Sequence, residues 1–178
     1  MNPRTAVVAV ASAVGFAGCA ASNLIQEERT MEAYDVTIAQ GTNSDFSFTV
    51  VTGNPDGVWA LWTDPATWGD WDKGLKSAAM IGQMRLGSTG TITPLSGPQS
   101  QFRVVTFDPK KSYAFETRLP LAVLRVARSF NADRTAFTHR VTFSGPMGFA
   151  FARMFGPGFR KALPPTMQEL NTLAEEQT

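Results

Sequence analysis

Lys111-Ser-Tyr-Ala-Phe-Glu-Thr-Arg-Leu-Pro-Leu-Ala-Val-Leu-Arg-Val-Ala-Arg-Ser-Phe-Asn-Ala-Asp-Arg-Thr-Ala-Phe-Thr-His-Arg-Val-Thr-Phe-Ser144 decides the architecture. Even spacing groups Tyr113, Phe115 and Leu119; then Leu124, Val126 and Phe130; then Phe137, His139, Val141 and Phe143. A period of two puts each group on one face of a strand. The strands are Lys111–Leu119, Leu121–Asn131 and Thr135–Ser144, and Asn131-Ala-Asp133 is a hairpin turn. Connections this short make neighbouring strands antiparallel. Upstream, Gly74–Ile81, Ser88–Pro94 and Gln101–Asp108 read the same way, with Asp108-Pro109 as a turn and Gly82 and Gly87 bracketing another connection. No interior helix is long enough to cross over between parallel strands.

Further out the period changes. Phe46–Thr52 alternates as a half-buried strand. Asn54-Pro55 then starts a helix, with Asn as N-cap and Pro at the first helical position, carrying Val58, Trp59, Leu61 and Trp62 on one side. Asp64-Pro65 breaks it and opens a short helix over Pro65–Trp68. From Pro146 the spacing is helical again. Gly156-Pro157 is expected to interrupt or kink this helix, Pro164-Pro165 marks a second irregularity, and Met167, Leu170, Leu173 and Ala174 continue the apolar side. The order is strand, two short helices, six strands, long helix.

Composition narrows the function. The 178 residues are 43% hydrophobic and 17% charged, which suits one globular domain. Mean hydropathy of −0.09 argues against a polytopic membrane protein. Sixteen Lys and Arg against fifteen Asp and Glu leave no basic excess for a phosphate backbone, so nucleic acid is not an expected partner. One His excludes a multi-His metal site and one Cys excludes an internal disulfide; neither metal nor cofactor is expected.

The element order, with Val58-Trp-Ala-Leu-Trp-Thr-Asp64, Trp68-Gly-Asp-Trp71 and Thr138-His-Arg-Val-Thr-Phe-Ser-Gly-Pro146, resembles the polyketide cyclase/dehydrase branch of the START-like (SRPBCC) superfamily. The resemblance implies an α+β helix-grip fold: a curved antiparallel sheet of about seven strands around the long C-terminal helix, with a cavity between them. These folds host carriers, receptors and cyclases, so function must come from the site. Five large apolar side chains, Phe149, Phe151, Met154, Phe155 and Phe159, fall within eleven residues and are expected to meet the sheet's rings around a void. The expected lining is Trp71, Met80, Phe115, Leu119, Val126, Arg128, His139, Phe143, Phe151 and Phe155, with Arg128 facing inward to hold an anionic head group. His139 shares the inward face and is the candidate general acid or base, with Glu116, Arg125 and Arg128 on neighbouring strands. Trp68 and Trp71 are expected to close one end of the sheet.

The first residues differ in character. Arg4 precedes the apolar run Thr5–Ala17, too short to span a bilayer and of signal-peptide length. Phe16-Ala-Gly-Cys19 resembles a bacterial lipobox, with Phe16 where the pattern prefers Leu, and the Ala after Cys19 fits the outer membrane. The organisation read is a signal peptide over 1–18, a tether over 19–43 and the domain over 44–178, anchored in the cell envelope through lipidated Cys19. The alternative is a cytoplasmic protein starting at Met31. The leading function is binding or transport of a small hydrophobic molecule, lipid-like or aromatic. The alternatives are a cyclase or dehydratase using His139, and a structural or chaperone-like module with a filled interior.

Overall fold

The computed structural model describes residues 38–177. The expected signal peptide, Cys19 and most of the expected tether lie outside the described residues. The elements are β1 Gln40–Gly41, β2 Asp45–Val51, α1 Pro55–Thr63, a 3-10 turn Pro65–Thr67, α2 Trp68–Trp71, β3 Leu75–Met80, β4 Thr89–Pro94, β5 Ser100–Asp108, β6 Ser112–Leu119, β7 Ala122–Phe130, β8 Ala136–Ser144 and α3 Gly148–Glu175. All strands pair antiparallel in one sheet, in the order β1-β2-β8-β7-β6-β5-β4-β3. This is the helix-grip architecture, with the two-residue β1 added to the expected seven strands.

Because β2 and β3 sit far apart in the sheet, α1 and α2 must bridge its inner face to join them. The capping at α1 is as read: Asn54 Oδ1 accepts from the Gly57 N–H at 3.0 Å. The same Asn54 donates to the Ala174 carbonyl at 2.7 Å, which ties the start of α1 to the end of α3.

Register arranges the inner face in rows. Val104, Phe115, Val126, Val141 and Phe46 stand side by side in one, and Phe107, Tyr113, Arg128, His139 and Phe48 in the next. Glu116 and Arg125, grouped with His139 at the outset, alternate to the opposite face and pair with each other at 3.3 Å.

α3 departs from expectation twice. First, Pro157 does not interrupt it: the helix continues through Pro157, Pro164 and Pro165. A proline in a helix costs about 3 kcal/mol, so tertiary packing must hold it: Leu163, Met167, Leu170 and Ala174 are buried beneath it. Second, its first half buries small residues, Gly148, Ala152 and Gly156, while Phe149, Met154, Phe155 and Phe159 are exposed. The reason is close approach. A Cβ at Gly148 would lie 3.3 Å from the Phe143 backbone, and one at Gly156 would collide with the Asn43 carbonyl oxygen. The rings were expected to meet the sheet; the helix approaches too closely for most of them, and Phe159 alone is in ring contact with a sheet residue, Phe143, among the described residues.

The last residues of the expected tether are stitched to the domain. The Ala39 N–H donates to the Arg160 carbonyl at 2.9 Å, and the Arg160 guanidinium returns bonds to the Ala39 carbonyl and to Asn43 Oδ1.

Candidate functional site

Arg128 sits in the middle of the inner face, 2% exposed, with His139 beside it on β8 and Tyr113 on β6. Four rings enclose its guanidinium: Trp68 at 4.6 Å, Trp71 at 4.9 Å, Phe115 at 5.5 Å and Tyr113 at 5.6 Å. Trp68 and Trp71 come from the short α2 and lie over the inner face, where Trp68 stacks on Phe102 and Phe115. They were expected to close the sheet's end; instead they roof its centre. Desolvated cation–π contacts are worth about 2 kcal/mol or more, so the rings offset part of the cost of burying the charge.

A hydrogen-bonded relay offsets more. Arg128 donates to the Tyr113 hydroxyl, and that hydroxyl donates to the Trp62 carbonyl at 2.6 Å. Trp62 stands in the last turn of α1, whose carbonyls have no partners within the helix and carry partial negative charge. The Trp68 indole N–H donates to the same carbonyl at 3.1 Å. Burial pushes the Tyr113 hydroxyl up to about 12, against the opposing pull of Arg128, so it stays protonated and able to donate.

The compensation is incomplete. Among the described residues no carboxylate lies within 4.0 Å of Arg128. Asp72, at the end of α2, feels its charge, but burial dominates and raises the Asp72 carboxyl above its ordinary range. Three buried nitrogens in this place have no hydrogen-bond partner: Arg128 Nε, Trp71 Nε1 and His139 Nδ1. Each such group costs about 1–3 kcal/mol. His139 is held well below 6.5, first by burial and then by Arg128's charge, so its imidazole is neutral at pH 7.

The remaining predicted residues divide by position. Phe115 and Val126 stand in the row next to Arg128. Leu119 is half-buried at the strand end, and Phe143 is buried beside half-buried Leu124. Phe151, Phe155 and Phe159 recur every four residues along one flank of α3, which the contact of Phe159 with Phe143 (6.1 Å) directs toward the inner face. The rows nearest the start of α3 are therefore less covered than the Arg128 row. Met80 is apart: it lines a hollow of about 290 Å³ with Thr63, Asp64, Pro65, Ala66, Ala79, Gly82 and Gln83. A second hollow, about 680 Å³, lies within the β3–β4 loop over Ile81–Thr89. Trp62, Trp68, Trp71 and Arg128 are fully buried beneath α1 and α2. Tyr113, Trp68 and Asp72 complete the cluster without having been singled out for it; Tyr113 shares Phe115's alternation, the one signal that pointed to it.

Residues 44–175 match the family described as polyketide cyclase / dehydrase and lipid transport. Among curated proteins none matches the chain. Solved structures share the fold at low identity. The di-domain ARO/CYC StfQ from the steffimycin biosynthetic pathway has a TM-score of 0.61 at 11% identity, over 93% of this chain and 63% of that one. A hypothetical protein from Helicobacter pylori has 0.59 at 12%, over 75% and 89%. A protein from Nitrosomonas europaea has 0.59 at 12%, over 76% and 97%.

Proposed function

The chain belongs to the polyketide cyclase / dehydrase and lipid-transport family, and from that premise we propose that it binds a small apolar molecule carrying an acidic or strongly accepting oxygen. The observation that carries this reading is the set of unpaired nitrogens on Arg128, Trp71 and His139, set in an otherwise apolar face. Native proteins rarely leave such groups orphaned, and a ligand oxygen would give a donor among them a partner. The apolar body then lies along Phe115, Val126 and the half-buried rows toward Leu119, beside the Phe151–Phe155 flank of α3. Affinity comes from buried apolar area, at ~25 cal/mol per Å² before the costs of association. Arg128 and its neighbours supply orientation and selectivity.

The test is a calorimetric titration of the full chain with 2-naphthoate and with its uncharged methyl ester. The expected result is saturable binding of the acid, with the ester and an Arg128→Met variant each roughly tenfold to a hundredfold weaker. Equal binding of acid and ester, unchanged in Arg128→Met, would sink the proposal.

A second reading, catalysis of a cyclisation or dehydration, has its own support in the neutral, buried His139 imidazole. His139→Ala that keeps ligand affinity but loses turnover would favour it; unchanged turnover would remove His139 from any such role. Anchoring through Cys19 is a further proposal, supported by the sequence alone. The intact mass of the chain from its own envelope tests it: an acylated chain starting at Cys19 supports it, and an unmodified chain starting at Met31 contradicts it.

A further inference from the structure

The turn joining β6 to β7 carries an unusual residue. Leu121 has φ of +54° and is 72% exposed. The left-handed region is costly for a branched apolar side chain, and glycine or asparagine would fill it at less cost. The Leu121 carbonyl accepts from the Met147 N–H at 3.0 Å, so the hairpin tip is fastened to the start of α3. Met147 is itself exposed, and Phe149, two residues on, is 74% exposed. The result is one protruding apolar tip made from two separate segments.

Charge indicates what meets it. Arg118, at the base of the hairpin, and Arg153, on the next turn of α3 after Phe149, are exposed. Among the described residues neither has a carboxylate within 4.0 Å. No Asp or Glu occurs between Asp133 and Glu169, a run that includes the whole first half of α3. Exposed apolar side chains flanked by unpaired cations fit the boundary of an anionic bilayer, where the rings sit among acyl chains and the cations meet phosphates.

We propose that this tip docks on an anionic lipid surface, with Leu121, Met147 and Phe149 inserted and Arg118 and Arg153 on the head groups. The inference does not rest on the ligand reading, nor on lipidation of Cys19. It places the less covered end of the inner face toward the bilayer.

The test uses the full chain carrying Cys19→Ser, which removes the only cysteine. A single nitrobenzoxadiazole label is attached at Phe149→Cys, or for comparison at Ile81→Cys, fully exposed on the β3–β4 loop at the opposite end of the strands. Vesicles are equimolar phosphatidylglycerol and phosphatidylcholine, or phosphatidylcholine alone. The expected result is a blue shift and brightening at position 149 on anionic vesicles only, with no change at position 81. Arg118→Gln and Arg153→Gln should each raise the lipid needed for half the response roughly fivefold. Three results would overturn the proposal. Equal responses at both positions would mean that residues 1–37 alone recruit the chain, with no preferred face. A label at 149 already blue-shifted before lipid is added would mean that a second copy or another part of the chain covers the tip. No response at 149 would mean that the tip does not dock.

Discussion

The two ends of α3 hold to the sheet in opposite ways. Near its finish the helix buries Leu163, Met167 and Leu170, over an inner face whose rings surround Arg128. Near its start it buries only Gly148, Ala152 and Gly156, while Phe149, Met154 and Phe155 are exposed. One end is fixed by side-chain burial and the other by close backbone approach. The first yields stability. The second leaves large apolar side chains exposed while the backbone stays against the sheet.

Core truncation should separate the ends most sharply. Met167→Ala or Leu170→Ala should lower unfolding free energy by about 2–5 kcal/mol in urea melts, the range for large-to-small core changes. A loss below 1 kcal/mol in both would erase the distinction. Gly156→Ala should come next, at about 1–3 kcal/mol, because the new methyl meets the Asn43 backbone rather than a movable side chain. It should also speed hydrogen exchange at the Ala39 amide, whose acceptor is the Arg160 carbonyl on the same helix.

Acid should weaken the closed end through His139. Its folded pKa lies well below the unfolded 6.5. On acidification the unfolded chain takes up a proton that the folded chain refuses, so stability falls as pH drops below 6.5, by at most about 1.4 kcal/mol per pH unit from this group. His139→Gln should remove that component, visible as a flatter dependence of urea midpoint on pH between neutral and mildly acid conditions; an unchanged slope would assign the acid sensitivity elsewhere. The smallest effect should be at the open end, where Phe149→Ala should alter stability by less than about 0.5 kcal/mol.

Strand alternation read the inner face well because a period of two is local. Tyr113 with Phe115, and Phe137 with His139, Val141 and Phe143, share one face as the spacing requires, and Arg128 points inward with Val126. The first half of α3 was misread because helical spacing names two faces without saying which one meets the sheet. That choice depends on Asn43 and Phe143, distant or separately folded segments that press against Gly156 and Gly148. The four-residue repeat of small residues from Gly148 to Gly156 was the available clue. The ring cage around Arg128 needed Trp68 and Trp71 delivered by a four-residue helix whose direction no pattern encodes.

The most direct measurement is native mass spectrometry of the full chain, wild type and Arg128→Met, followed by denaturation and identification of any released molecule. The account expects the wild type to carry a small apolar molecule with an acidic or strongly accepting oxygen and Arg128→Met, folded by thermal melt, to be bare. The same molecule retained equally by both proteins, or a hydrocarbon without an accepting oxygen on the wild type, would contradict the assignment of Arg128 as the group that holds the ligand.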